Sequence, residues 1–300
     1  MDVSLIIVNY NTLQLTKDCI NSVFEKTLGI TFEIILVDNA SLDGSKEFFK
    51  TDQRIKYYYL SENIGFGKAN NFGIEKATGK YIFCLNNDTL LINNAIKLFF
   101  DYCEDKQNKN IPIGAVGCML ENKEGQFIHS YGSFPSIRKI ILNRIIHPLY
   151  SIILGQSYKR QEQIRTSEQF VGYVTGADMF VNRELLNKYG AFDPDFFMYF
   201  EETELQFRLT KAGYKSMIIS GPRIIHLEGA SVKSRAYNST QGRLTNKLIY
   251  NQQSEFIYMK KTHSHFSYYL YRILFFIIRI PFLLSLNKKE RRIYLKILTK

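Results

Sequence analysis

The 300-residue chain has no tryptophan, only 4 cysteines, and a shortage of acid: 28 Asp and Glu against 39 Lys and Arg, a formal net charge of +11. Each shortage narrows the field. Cys19, Cys84, Cys103 and Cys118 form no CxxC pair, and none stands near a histidine at zinc spacing, so zinc modules are excluded. They read as reduced thiols of a cytosolic protein, with Cys84 inside an apolar run. A secretory leader is also missing, because Asp2 is followed at once by the strand-like Ser4-Leu5-Ile6-Ile7-Val8. Neither a Walker loop nor a GxGxxG fingerprint occurs, and there is no internal repeat or low-complexity linker. Asn238-Ser239-Thr240 fits a glycosylation acceptor, but such triplets arise often by chance. The deficit of acid favours anionic partners, whether nucleic acid, acidic lipid or phosphorylated ligands.

What remains is globular in character: 45% hydrophobic and 22% charged residues allow one large domain or two smaller ones with ample core. Strand patterns over residues 5–8, 33–37, 55–59 and 80–85 alternate with helix patterns over 15–24, 41–49 (a short helix started by Ser41-Leu42-Asp43-Gly44-Ser45), 66–77 and 95–102. Gly79 is placed to stop the third helix. This order predicts an α/β fold with a mostly parallel sheet flanked by helices. A strand is expected at 114–119. An irregular insertion facing a second substrate is expected over 125–165, and order returns at 171–181. Helices over 182–189 and 201–212, the latter ended by Gly213, and strands over 215–219 and 223–226 complete a domain spanning 1–235. Residues 236–300 form a helical, basic and aromatic extension with helices expected over 241–261 and 268–286. The second contains Arg272, Arg279 and Pro281, so it fails as a spanning segment. Its arginines are seven apart and share a stripe, which fits a basic amphipathic helix on an anionic membrane surface. A helix packed on the domain with solvated basic ends is the plainer alternative.

Polar landmarks stand at the expected carboxyl ends of the strands, where open α/β sheets gather ligands. Asp38, after the second strand, can accept from a base imide or a ribose hydroxyl, or simply cap a turn. Asn63, Gly65 and Asn70 belong to a glycine-bearing loop before a helix, where backbone can approach a phosphate. Asn86-Asn87-Asp88 follows the fourth strand. Asp88 is placed to hold a divalent cation, and the two amides could orient sugar or water, although Asn and Asp also populate turns. Phe196-Phe197-Met198-Tyr199-Phe200 runs straight into Glu201-Glu202. An apolar flank raises the basicity of a carboxylate, as a general base requires, while acids in a first helical turn also suit the helix dipole. His226 ends the last strand, and its value depends on Asp88 and Glu202 lying nearby.

In order and spacing, these segments resemble the family-two inverting glycosyltransferases of GT-A fold, and within them a bacterial rhamnosyltransferase-like branch building surface polysaccharide. The resemblance covers roughly residues 3–235. Val8-Asn9-Tyr10-Asn11 and Val37-Asp38-Asn39-Ala40-Ser41 look like the nucleotide-binding start, and Asn63-Ile64-Gly65-Phe66 with Ala69-Asn70 is similar to the donor loop. Asn86-Asn87-Asp88 stands where the family has its DXD-type metal motif. Gly176-Ala177-Asp178-Met179 resembles the segment lining the acceptor side. Glu201-Glu202 stands in place of the Glu-Asp pair whose second member is the base, and His226 matches a histidine completing the metal shell. The resemblance implies Mg²⁺ or Mn²⁺, a nucleotide-sugar donor (dTDP-rhamnose or a UDP-hexose), and a saccharide or lipid-linked saccharide acceptor at the inner face of the cell membrane. Two departures are Asn86, where the motif has an acid, and Glu202, one methylene longer than Asp. Asn86 keeps open a binding protein of the same fold without catalysis. Nucleic-acid binding is not expected, since the basic residues gather in the tail rather than interleaving with aromatics on one surface. A nucleotidyltransferase would need a Gly-rich, Lys/Arg-bearing opening loop, which is absent.

Overall fold

The computed structural model describes residues 1–142, 168–227 and 245–299. The Asn238-Ser239-Thr240 triplet and the later part of the expected insertion lie outside the described residues. The chain divides into two compact units, one drawn from Met1–Ser133 and Thr166–Ala236, the other from Phe134–Arg165 and Tyr237–Lys300.

In the first unit, β1 (Val3–Asn9), β2 (Phe32–Asp38), β3 (Lys56–Tyr59) and β4 (Tyr81–Leu85) are parallel in the order β3-β2-β1-β4. Helices α1 (Leu13–Lys26), α2 (Ser45–Phe49) and α3 (Phe66–Lys76) connect them. The strands are apolar without alternation because both faces are covered. Leu5 and Ile7 join one core with Val23, Phe83 and Phe99, while Ile6 joins another with Ala69, Ile82 and Met179. Next come β5 (Thr89–Leu91), α4 (Ala95–Asn108), β6 (Ile113–Cys118) and β7 (Tyr131–Gly132), then α5 (Ile137–Ile141) of the second unit. Beyond them lie β8 (Gln169–Val171), β9 (Tyr173–Val174), β10 (Asp178–Asn182), α6 (Arg183–Tyr189), α7 (Glu201–Lys211), β11 (Lys215–Ile219) and β12 (Ile224–His226).

The sheet continues from β4 through β10, β6 and β11 to β8. β10 is antiparallel to both β4 and β6, so its first residue, Asp178, pairs with the last residue of β4, Leu85. That reversal delivers the Gly176–Asp178 segment to the strand ends where the landmarks gather. The small β5–β12 sheet pairs His226 with Thr89.

Gly213 does follow the end of α7, with φ +96. Gly79 does not stop α3. That helix ends at Lys76, and Gly79 is needed because a Cβ there would sit 2.5 Å from the Ser4 nitrogen of β1. The fourth helix runs past its expected end to Asn108; residues 104–108 are all polar and leave no apolar period, and the Lys109–Asp105 pair holds its last turn. All four cysteines are free and buried, and burial pushes the thiols of Cys19, Cys84 and Cys103 up to about 12.

The second unit holds α8 (Asn246–Thr262), α9 (His265–Ser285) and α10 (Lys288–Thr299). Thr245 and Ser264 cap the first two by accepting from Leu248 N and Ser267 N. Phe256 packs edge-on against Tyr271 and Phe275, with ring centres 5.7 and 5.1 Å apart. Arg291 donates to the carbonyls of Leu283, Leu284 and Leu286, tying α10 to the end of α9. Arg272 and Arg279 do share one side of α9, but it borders the packed side. Arg272 lies over Phe256 and Tyr268, and Arg279 over Phe275 and Phe282. A seven-residue spacing fixes a common face without fixing its direction. By length and apolarity alone α9 would suffice to cross a bilayer, contrary to the expectation from its two arginines.

At the opposite end of the sheet from the landmarks, Glu33 accepts from Ser4 Oγ at 2.6 Å and from Thr78 N and Oγ1 at 2.8 and 2.7 Å, and pairs with Lys56. Burial pushes this carboxyl up, yet those donors prevail and hold it at about 2, below the usual 4.5. A depressed carboxylate contributes stability that is complete above its unfolded pKa and is lost as pH falls toward the folded one. In urea unfolding, the advantage of wild type over Glu33→Gln is therefore expected to be full near neutrality and to shrink between about pH 4.5 and 2; a gap constant across that window would contradict the assignment.

Candidate functional site

The strand ends are locked by a knot of buried amides and hydroxyls. Asn9 closes β1; its Oδ1 accepts from Thr12 Oγ1 at 2.8 Å and Thr16 Oγ1 at 3.0 Å, and its Nδ2 donates to Ser41 Oγ at 3.1 Å. Asn87 donates into the same knot, to Thr12 Oγ1 at 2.5 Å and Thr16 Oγ1 at 3.1 Å. Asn11, at φ 54, donates its N–H to the same Ser41 hydroxyl and accepts from Leu42 N. Asp38 has no exposed surface. Its Oδ1 accepts from Ser41 N at 2.8 Å and its Oδ2 from the Tyr57 hydroxyl at 2.9 Å. Asn39 bridges to the next loop, donating to Asn63 Oδ1 and accepting from Ile64 N, while Asn63 Oδ1 accepts from Gly65 N. Asn70 is buried and donates to the Phe66 carbonyl one turn back. Asn9, Asp38, Asn70 and Asn87, all expected to face a ligand, are thus turned into the protein and shape the loops that would.

Asn86 and Asp88 face the other way. Asp88 Oδ1 lies 3.2 Å from His226 Nε2, and Asn86 Nδ2 lies 3.4 Å from the same nitrogen. The pairing of β12 with β5 makes this meeting, and the Leu227 N–H to Asp88 carbonyl bond at 2.8 Å extends it. Among the described residues no group of three or more His, Cys, Asp or Glu side chains forms a closed metal cage. One carboxylate and one imidazole fit a hard cation whose remaining ligands come from substrate phosphates and water.

Glu201 and Glu202 open α7 after two consecutive left-handed residues, Tyr199 at φ 71 and Phe200 at φ 68. Such backbone costs about 1–3 kcal/mol per residue and persists only where surroundings enforce it. Gly65, at φ 90, supplies one restraint. Phe66 N donates to the Phe197 carbonyl at 2.8 Å, and a Cβ on Gly65 would run into that carbonyl. Glu201 points inward toward Gly67 of α3, and among the described residues its Oε2 has no hydrogen-bond partner. Burial first, and then the neighbouring Glu202 charge, raise its carboxyl well above the ordinary range. Glu202 is half-buried. Burial raises it too, against the backbone N–H groups of the helix start and the Thr203 hydroxyl at 3.3 Å. The Gly176–Ala177 link joins the two halves of the site. Asn86 N donates to the Ala177 carbonyl at 3.0 Å, and Gly176 lies against Glu202, whose Cβ would be 3.8 Å from a Cβ on the glycine.

Three contributors were not singled out from the sequence. Thr12 and Ser41 bind the loops together, and nothing in a lone hydroxyl announces it. Asp178 was read only as part of an acceptor-side segment. It is fully buried, accepting from Cys118 N at 2.7 Å through Oδ2, with no partner on Oδ1 among the described residues. Burial lifts it to about 7, with Cys118 and the His226 charge pulling the other way. An acid opening the apolar run Met179-Phe180-Val181 was the available signal.

A family model described as glycosyl transferase family 2 matches residues 4–190. The N-acetylglucosaminyl-diphospho-decaprenol L-rhamnosyltransferase of Mycobacterium tuberculosis is 24% identical over 243 residues, covering 77% of this chain and 75% of that one. Among solved structures, GalNAc-T7 with UDP, GalNAc and Mn²⁺ superposes with a TM-score of 0.53 at 17% identity, over 76% of this chain and 45% of the other. The mannosyltransferase PcManGT of Pyrobaculum calidifontis, in complex with GDP-Man and Mn²⁺, gives 0.51 at 16% identity, over 86% and 63%. The chain thus spans less than two thirds of either solved structure. The likeness to both is one of fold, the GT-A arrangement.

The opposite orientations of neighbouring amides have a measurable consequence. Asn87→Ala, which strips the knot of its donor, is expected to lower unfolding free energy by about 1–2 kcal/mol. Asn86→Ala should leave the urea midpoint near wild type, and equal losses from both would contradict the assignment.

Proposed function

This chain belongs to glycosyl transferase family 2, and we propose that it moves a sugar, with inversion, from a nucleotide-sugar donor to a hydroxyl of a lipid-linked saccharide in cell-surface polysaccharide synthesis. The observation that carries the reading is the convergence of Asn86, Asp88 and His226 at the end of β4, with Glu202 across the Gly176–Ala177 link. The relative from M. tuberculosis, whose name specifies a diphospho-decaprenol acceptor and a rhamnosyl group, supports dTDP-rhamnose as donor and a lipid carrier on the acceptor; a UDP-hexose is the other donor the site would take. The place of work is then the inner face of the cell membrane.

The loops pinned by Asp38, Asn39 and Asn63 cradle the nucleotide, and the start of α3 meets the diphosphate with its N–H groups. Asp88 and His226 would hold a divalent cation, which, when bound, neutralises charge on the departing nucleoside diphosphate. Asn86, adding no charge of its own, orients donor oxygens beside them. Glu202 takes the proton of the acceptor hydroxyl as that oxygen attacks the anomeric carbon opposite the diphosphate. Its surroundings raise its basicity for that step. Glu201 lies deeper, and burial and then the Glu202 charge raise its carboxyl as well.

Glu202→Gln is expected to reduce transfer at least about 100-fold while donor titration is unchanged. In wild type, kcat/KM should climb with pH along a limb lying above the usual glutamate range, since the base works ionised. Normal turnover by the glutamine variant would overturn the assignment. Asp88→Ala should weaken both Mn²⁺ binding and Mn²⁺-dependent donor binding, read by calorimetry without turnover. Unchanged isotherms would remove Asp88 from the cation site.

A further inference from the structure

The second unit carries a surface that glycosyl transfer does not use. Along α9, Phe266, Tyr269, Ile273, Phe276, Ile277 and Ile280 are all exposed, and Leu284 extends the row. At 3.6 residues per turn they fall within an arc of about 100°, a single stripe about 27 Å long. Its two ends are the barest, with Phe266 79% and Leu284 70% exposed. Scattered exposed apolar residues need no explanation, but a continuous row of seven is a docking face. The opposite side of the helix is committed elsewhere, with Tyr268, Tyr271 and Phe275 buried, and Arg272 and Arg279 stand at the border between the two sides with their guanidinium groups over rings. A shallow groove of about 340 Å³, lined by Tyr269, Arg272, Ile273, Phe276 and Ile277, runs along the stripe.

The charge around it is of one sign. Residues 245–299 hold ten Lys and Arg against Glu255 and Glu290, and Glu255 is buried. On α10, Lys288, Arg291, Arg292, Leu295 and Lys296 line a second shallow groove, of about 420 Å³. A second copy of this chain would bring the same positive charge to the contact. An anionic bilayer would bring its complement, phosphates for the cationic groove and acyl chains for the stripe.

We infer that α9 lies in the plane of an anionic lipid surface, with the Phe266–Leu284 stripe sunk at the headgroup boundary and the basic groove of α10 on lipid phosphates. Spanning is a different geometry and is disfavoured here, because turning α9 across the bilayer would carry Arg272 and Arg279 into hydrocarbon and strip Tyr268, Tyr271 and Phe275 of their packing. The inference deepens the proposed function by naming what holds the enzyme beside a lipid-linked acceptor, and it rests on that reading only for its purpose.

The test is sedimentation of the full chain with vesicles of phosphatidylcholine, with and without phosphatidylglycerol, for wild type and for Ile273→Glu/Ile277→Glu, both positions being exposed. Wild type should bind the phosphatidylglycerol vesicles and release them in high salt. The double variant should bind at least about tenfold more weakly, the scale expected when two large apolar side chains leave the boundary. Circular dichroism and donor titration should match wild type, so lost vesicle binding with intact donor binding separates this face from the transfer site. Equal binding by wild type and variant, or no preference for phosphatidylglycerol, would overturn the inference. So would a concentration-dependent dimer that the double variant abolishes, if wild type then fails to bind vesicles.

Discussion

Asn87 is the pivot of the site. Its side chain is fixed in the amide and hydroxyl knot with Asn9, Thr12 and Thr16, and that anchorage turns the chain so that Asn86 and Asp88 emerge on the far side toward His226. Without the knot, the turn after β4 would have no reason to present one carboxylate and one amide together. The polar residues of the strand ends therefore divide into two kinds. One kind, such as Asn9 and Asn87, is spent in hydrogen bonds that set the backbone; the other, Asn86 and Asp88, is turned toward His226, with Asp88 itself buried.

The acid pair shows the same division by a different means. Glu201 and Glu202 are adjacent, yet one faces α3 and the other the Gly176–Ala177 link. Two left-handed aromatic residues and a crowded glycine hold this entry to α7. Strain at Tyr199 and Phe200 and the dehydrated carboxylates of Glu201 and Asp178, each with one oxygen that finds no partner among the described residues, lie in this region.

Much of this was legible in the sequence, for a physical reason. Strands covered on both faces read as unbroken apolar runs, and the polar residue that ends such a run stands at the carboxyl edge of the sheet. Asp88 and His226 could be picked out that way, and Glu202 by the aromatic run that leads into its helix. What stayed hidden depends on distance along the chain or on direction. The reversal of β10 between β4 and β6 leaves no trace in local periodicity, nor does the pairing of Thr89 with His226. The bias of Asn and Asp for strand ends does not tell an inward amide from an outward one, so Asn86 and Asn87 looked alike. On α9 the seven-residue spacing shows that the arginines share a face, but not that the free face is the apolar one.

The four interior cysteines carry a practical corollary. Burial suppresses thiolate formation at all of them, so at neutral pH the natural thiols of the folded chain react slowly with maleimides and similar electrophiles. A single cysteine introduced on the surface can then be labelled selectively without first removing the natural ones. Fluorescent or spin reporters can follow this molecule with its core chemistry untouched.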